Sequence, residues 1–220
     1  MAKRVFCSWS GGKDSCLALF RALKSGLKVK YLVNMLNEEG SRSRSHNLPK
    51  TVLDAQAEAL GIPIVYGRAS WETYEEEFKK VVKNLKTLEV EGGVFGDINL
   101  HEHKEWVEKV CSEVGVKVFE PLWEESYEKL IGEFTGNGFK AIVVSGKIGL
   151  IGEDWIGKPF NQKFVEYLKN QGIDLCGEKG EYHTLVTYGP IFKHQLKILK
   201  TSRKVNSDYW FLEILEFRLT

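Results

Sequence analysis

Residues 4–15 read RVFCSWSGGKDS, and this stretch decides the fold. Arg4 to Trp9 is short and rich in β-forming side chains. Cys16, Leu19, Phe20 and Leu23 then recur at helical spacing, and Gly26 ends the run. Between the two lies Ser10-Gly11-Gly12-Lys13-Asp14-Ser15. A turn placed between a strand and a helix sits at the carboxyl end of the strand, where open α/β sheets bind their ligands. Two glycines let the backbone come close to a ligand. The helix start offers free N–H groups and the positive end of a dipole, which suits a phosphate. Ser10 and Ser15 add hydroxyls and Lys13 adds charge. Asp14 would repel a bare phosphate; it fits either as a holder of Mg²⁺ arriving with the phosphates or as a helix cap.

The same alternation continues outward from this turn. Strands are expected at 28–36 (KVKYLVNML), 62–66, 93–97 (GVFGD) and 117–119. Helices are expected at 50–60, over Tyr74 to Leu85 and over Trp106 to Val114, the first and last closed by Gly61 and Gly115. Residues 37–49 (NEEGSRSRSHNLP) form a polar loop longer than most, a length that often marks function. Strand–helix alternation on this scale predicts a parallel sheet covered on both faces. The pattern then changes. Helices are expected at 126–134 and 161–171, a glycine-rich loop at 146–160, and strands at 140–145, 182–187, 195–200 and 209–219. These strands alternate as in a mixed or antiparallel sheet. The expected organisation is therefore an α/β domain over 1–127 and a smaller α+β domain over 128–220.

Composition excludes several classes. Lys plus Arg number 31 against 30 Asp plus Glu, a net charge of +1, so there is no general footprint for nucleic acid or a membrane surface. No run approaches a membrane span, and the first nine residues lack a signal-peptide core. Cys7, Cys16, Cys111 and Cys176 show no CxxC spacing, which suggests reduced thiols in a cytoplasmic protein rather than a metal ribbon. The run from Gly152 to Lys158 imitates a Walker A loop, but Pro159 stands where Ser or Thr is required.

SGGKDS after the first strand resembles the PP-loop of the N-type ATP pyrophosphatases. Leu53 to Pro63 (LDAQAEALGIP), Pro121-Leu122-Trp123, Gly177 to Thr184 (GEKGEYHT) and Gly189 to Phe192 (GPIF) resemble the diphthine–ammonia ligase family over nearly the whole chain. The resemblance implies a Rossmann-like PP-loop sheet domain and a ligase that uses ATP and Mg²⁺. Such a ligase adenylates a carboxylate, releases pyrophosphate and displaces AMP with ammonia. The family acceptor is diphthine, a modified histidine of elongation factor 2. Two departures stand out: Lys179 and His183 occupy positions that usually hold glycine and glutamate, and 97–106 (DINLHEHKEW) replaces an expected SxYQRxR-like segment. Two alternatives stay open: amidation of another carboxylated substrate, and a non-catalytic module that binds ATP or AMP. No glutaminase domain is evident, so ammonia is expected free or from a partner; a homodimer stays open.

Candidate residues follow from these readings. Lys13, Asp14, Asp97, Glu178, Glu181 and His183 are the catalytic candidates, with Asp14 the candidate Mg²⁺ ligand. Ser8, Ser10, Gly11, Gly12, Lys13, Asp14, Ser15 and Gly96 are expected around ATP, whose base is expected against the second strand near Met35 and Asn37. Arg44, His46, Gly177, Gly180 and Tyr182 are expected to face the acceptor. Asp97 is weighed against a helix-capping role. His183 is expected to move a proton near neutral pH, and Glu178 and Glu181 to receive ammonium. Trp123, Trp155 and Trp210–Phe211 are read as core or interface aromatics.

Overall fold

A computed structural model describes residues 2–220. Five strands, β1 (Arg4–Ser8), β2 (Lys28–Leu36), β3 (Ile64–Arg68), β4 (Gly92–Val94) and β5 (Lys117–Phe119), form one parallel sheet in the order β3-β2-β1-β4-β5. Side chains alternate across it. Val5 and Cys7 of β1 pack with α1 (Lys13–Lys24) and α2 (Lys50–Leu60). Phe6 points the other way, to α3 (Tyr74–Thr87) and α4 (His101–Val114). Both faces are therefore buried, as the unbroken apolar strands require. The chain order reverses at β1, so the crevice between the ends of β1 and β4 is the topological switch point.

The remaining strands, β6 (Lys140–Lys147), β7 (Tyr182–Tyr188), β8 (Leu196–Asn206) and β9 (Tyr209–Leu219), form a second sheet in the order β7-β6-β9-β8 with antiparallel pairing throughout. Helices α5 (Tyr127–Gly136) and α6 (Gln162–Gln171) are capped by the side chains of Ser126 and Asn161. The core is shared between the two sheets: Val5, Leu19 and Leu53 belong to the same buried cluster as Val143, Phe164 and Leu185. Arg21 of α1 reaches across with paired hydrogen bonds to Glu133 of α5.

Four expectations shift in detail. β3 begins at Ile64, because Pro63 lacks an N–H to donate to the ladder and only its carbonyl accepts, from Leu32. β4 ends at Val94, and Phe95 to Asp97 leave the sheet to enter the crevice. β8 runs to Asn206 rather than Lys200. The 37–49 loop is pinned: Leu36 bridges Ser43, Arg42 bridges Pro49, and Leu48 is buried.

Candidate active site

The 10–15 turn is held by its own hydroxyls and by the second sheet. Ser10 Oγ lies 3.1 Å from Ser15 Oγ and accepts the Gly12 N–H at 3.3 Å. Gly11 has φ +84, and a Cβ there would lie 2.7 Å from Gln56 Oε1. Val186 of β7 donates its N–H to the Gly11 carbonyl at 2.9 Å. Thr184 Oγ1 accepts the Lys13 N–H at 3.1 Å. Gly96 backs the turn from the other side: a Cβ would meet the Asp14 carbonyl carbon at 2.9 Å. Glycine at 96 thus lets the end of β4 press directly on the first turn of α1.

Lys13 is buried. Its Nζ donates to Asp14 Oδ2 at 2.9 Å and to the Cys176 carbonyl, and stands 5.0 Å from the Tyr182 ring centre. Burial alone would lower its pKa, but the Asp14 carboxylate outweighs it, so Lys13 stays protonated. Burial lifts the pKa of Asp14 against the pull of Lys13, and the Asp97 charge lifts it further. Glu178 stands in the same field: burial raises its pKa, as do the Asp14 and Asp97 charges. It accepts the Asn99 N–H at 3.0 Å, tying the 177–184 segment to the loop after β4. Asp14, Asp97 and Glu178 thus converge beside one lysine.

The structure relocates several candidates. Asp97 does not cap α4, whose N-cap is Leu100; its Oδ1 lies 3.3 Å from His103 Nδ1, which raises the His103 pKa. Asp14 does not cap α1 either, since Gly12 holds that position. Met35 is buried in the core and its carbonyl accepts the Arg44 N–H. Asn37 Oδ1 accepts the N–H groups of Ser41 and Arg42. At the end of strand two the Met35 carbonyl and Asn37 Oδ1 thus organise the 37–49 loop. Tyr182 is buried and donates to the Leu175 carbonyl at 2.6 Å, so its ring faces Lys13 rather than an acceptor. Gly177 and Gly180 have φ +70 and +80, and what the backbone approaches is Tyr182 and the Tyr209 hydroxyl. Glu181 accepts the Lys179 N–H at 3.0 Å and closes its own turn.

His183 and His46 stack, with ring centres 4.2 Å apart and planes 24° apart. His46 Cε1 lies where a Cβ on Gly12 would fall, so the imidazole seals the turn from above. Burial lowers the His183 pKa to about 4, and the Lys13 charge adds to the effect. Burial also pushes His46 well below the usual histidine range, with His183 and Lys13 contributing. Both shifts favour the neutral form of the ring expected to move a proton near neutral pH. A measurable consequence follows. A histidine with a depressed folded-state pKa stabilises the fold fully above its unfolded value of 6.5 and loses that stabilisation as pH falls toward 4. With partial solvent contact discounted, the loss is about 2 kcal/mol. Urea melts between pH 7 and 4 should show this slope, and His183→Gln should reduce it to the part that His46 contributes; an unchanged slope in the variant would remove His183 as a source.

A cavity of about 670 Å³ opens beside the turn, lined by Ser8, Ser10, His46, Asp97 and His103 together with Trp71, Tyr74, Phe78, Phe95 and Trp106. Trp71 carries no signal in the sequence and Tyr74 reads only as a helix-core residue, whereas Trp106 lies in the 97–106 segment that departs from the expected SxYQRxR. Arg44 lies over Trp71 with its guanidinium 4.7 Å from the ring centre. Gln56 and Thr184 were also missed as supports of the turn. Among the described residues no group of three or more His, Cys, Asp or Glu is arranged to hold a metal unaided. Mg²⁺ bound along with phosphates needs only one or two protein carboxylates.

Fold and turn together define an α/β protein with a glycine-rich strand-to-helix turn at the switch point of its parallel sheet. The chain belongs to the diphthamide synthase family: the family's N-terminal domain model matches residues 3–118 and its C-terminal domain model matches 126–219. A bovine protein named diphthine–ammonia ligase is 28% identical over 98% of this chain and 92% of its own length. The human protein of the same name is 27% identical over 98% of this chain and 90% of its own length. A solved structure described as "predicted subunit of tRNA methyltransferase" from Methanocaldococcus jannaschii covers 86% of this chain and 98% of its own, with 17% identity and a TM-score of 0.45. Among the described residues no helix is long and apolar enough to cross a membrane, and all four cysteines are free and buried.

Proposed function

We propose that this chain is an ATP-dependent acid–ammonia ligase that converts diphthine to diphthamide, with elongation factor 2 as the carrier of the acceptor. Family membership of both halves, at residues 3–118 and 126–219, is the observation that carries the reading. In the first step a carboxylate oxygen of the acceptor attacks the α-phosphorus of ATP. The bond to the β-phosphate oxygen breaks and pyrophosphate leaves. In the second step ammonia attacks the acyl carbon, the bond to AMP breaks, and the nitrogen gives up a proton. A carboxylate alone has no usable leaving group; AMP is one. The protein's tasks are positioning and electrostatics.

The roles divide as follows. Residues 10–15 hold the phosphates with backbone N–H groups and the Ser10 and Ser15 hydroxyls, while Lys13 supplies the positive charge. Asp14 would hold Mg²⁺, which neutralises the departing pyrophosphate. Asp97 and Glu178 face the reacting carboxylate and are suited to attract ammonium and take its proton. Residues 1–127 act as the ATP unit and 128–220 as the acceptor unit, with Thr184 and Val186 clamping the turn between them.

The test is formation of AMP and pyrophosphate from ATP with Mg²⁺ and ammonium, with and without diphthine-bearing elongation factor 2. Both products should appear only with the factor, together with a gain of amide on it. Products formed only with other carboxylic acids would replace the acceptor. Tight ATP binding with no pyrophosphate under any acceptor would overturn the ligase reading.

A further inference from the structure

β8 is an edge strand. The order β7-β6-β9-β8 leaves one side of it without a ladder partner, and no backbone hydrogen bond among the described residues covers that side. Its 11 residues make it long for an edge, and most of them are exposed. Two large apolar side chains stand on it in the open, Leu199 at 50% and Val205 at 54% exposure. Such an edge offers a row of N–H and C=O groups to another extended chain.

Charge decides which chain fits. Residues 193–206 contain five Lys or Arg and no Asp or Glu, in a protein of net charge +1. Lys200 and Lys204 lie 3.7 and 3.5 Å from Glu216 and Glu213 of β9, and Arg203 lies 3.7 Å from Glu153. Lys197 is different. It stands directly opposite Arg218 of β9; both are exposed, and neither forms an ion pair among the described residues. Like charges facing each other across a ladder destabilise it. An anion set over the pair removes that repulsion. Beside the pair lies a groove of about 370 Å³, lined by Lys197, Leu199, Thr201, Gln195, Ile142 and Leu212 among others, and by no carboxylate.

The same features exclude other occupants. A second copy of β8 would set one row of cations against another. A nucleic-acid strand would find no aromatic ring in the groove on which to stack a base. An extended chain that alternates acidic and apolar side chains meets every feature: the open edge, the cations and the groove.

We propose that β8 is a docking edge for an extended acidic segment of a partner protein. The segment adds to the second sheet as one more strand, lays carboxylates on Lys197 and Arg218, and seats an apolar side chain in the groove. The inference does not draw on the ligase reading and can fail or hold without it.

The test is direct binding to the full chain. A labelled peptide of about ten residues, alternating Glu and Val, is titrated by fluorescence anisotropy beside its Lys–Val counterpart. Saturable binding of the acidic peptide is expected, at least tenfold tighter than the basic one. Hydrogen exchange at the amides of 199–206 should slow when it binds, while exchange in the 10–15 turn should not. Lys197→Glu should weaken binding at least fivefold. That change sets opposite charges across the ladder, so the thermal midpoint should hold or rise while binding falls. Equal binding of the two peptides, unaltered binding by Lys197→Glu, or protection away from β8 would overturn the proposal. So would an oligothymidylate that displaces the peptide and binds more tightly, which would make the edge a nucleic-acid surface. A chain that sediments as a dimer with 199–206 already protected would overturn it as well, in favour of a second copy.

Discussion

Lys13→Ala is expected to lower pyrophosphate and AMP formation by about a hundredfold to a thousandfold, the usual cost of removing one group that meets developing charge in a dry site. Lys13 is the one lysine at the turn, and its N–H and side chain are both anchored: the N–H to Thr184, the Nζ to Asp14 and the Cys176 carbonyl. The variant also leaves Asp14 without its partner, and an abandoned buried charge costs about 3 kcal/mol. Lost activity could then reflect lost folding. The thermal midpoint of the double variant Lys13→Ala/Asp14→Asn tests the stability part, because it removes both charges, and Asp14→Asn alone reports what loss of the Mg²⁺ candidate costs. The midpoint of the double variant should recover toward the parent, while pyrophosphate release stays at the low level of Lys13→Ala. Recovery of activity along with the midpoint would show that Lys13 matters for the fold alone.

Much of this architecture is legible in the sequence, for identifiable reasons. β2 and α2 fall where the pattern puts them because β2 carries a long apolar run and α2 is bounded by Pro49 and Gly61. The 10–15 turn is legible because two glycines, a lysine and two serines between a strand and a helix have few other uses. β8 is cut short in the sequence reading because most of it is exposed and pairs only with β9, so no alternation marks residues 201–206. The surroundings of His183 are not legible in the sequence, because its pKa is lowered by enclosure against His46 and Lys13, neither near it in sequence. Tyr74 escaped because helical spacing looks the same whether a face lines the core or a cavity, and Trp71 because it stands in the turn before α3, which no pattern marks.

The candidate site divides along the same line. Residues contributed by one contiguous motif, such as Ser10 to Ser15, are placed together by the chain itself. Residues that meet only through the fold are not: Glu178 reaches Asn99 and Asp97 reaches His103 across loops that no local rule predicts. Met35 and Asn37 show the converse. Their position at the end of β2 is right for a ligand, but the 37–49 loop uses their polar atoms first.

Gln56 left a signal that can be read in retrospect, and it carries the second large prediction. It is the one polar side chain in phase with Val52 and Ala59 on the inward face of α2, and it is fully buried. Its Nε2 donates to the Gly11 carbonyl at 3.0 Å and to the Val186 carbonyl at 2.7 Å, and its Oε1 accepts the Trp9 indole N–H at 3.1 Å. One amide thus ties the phosphate turn, β7 of the second sheet and the end of β1 into a single unit. Gln56→Ala opens a cavity and strands the buried Trp9 N–H. The two effects together should destabilise the chain by about 4 kcal/mol in urea melts. Gln56→Glu tests the polar part alone, because it keeps the volume and loses both donors. At neutral pH it should also destabilise, by placing a carboxylate against two carbonyls, and the loss should shrink as pH falls and the acid protonates. Because the same side chain sets Gly11, ATP should bind more weakly at temperatures where the variant is still folded. A Gln56→Ala protein that melts like the parent would show that Val186 and Thr184 hold the turn without it.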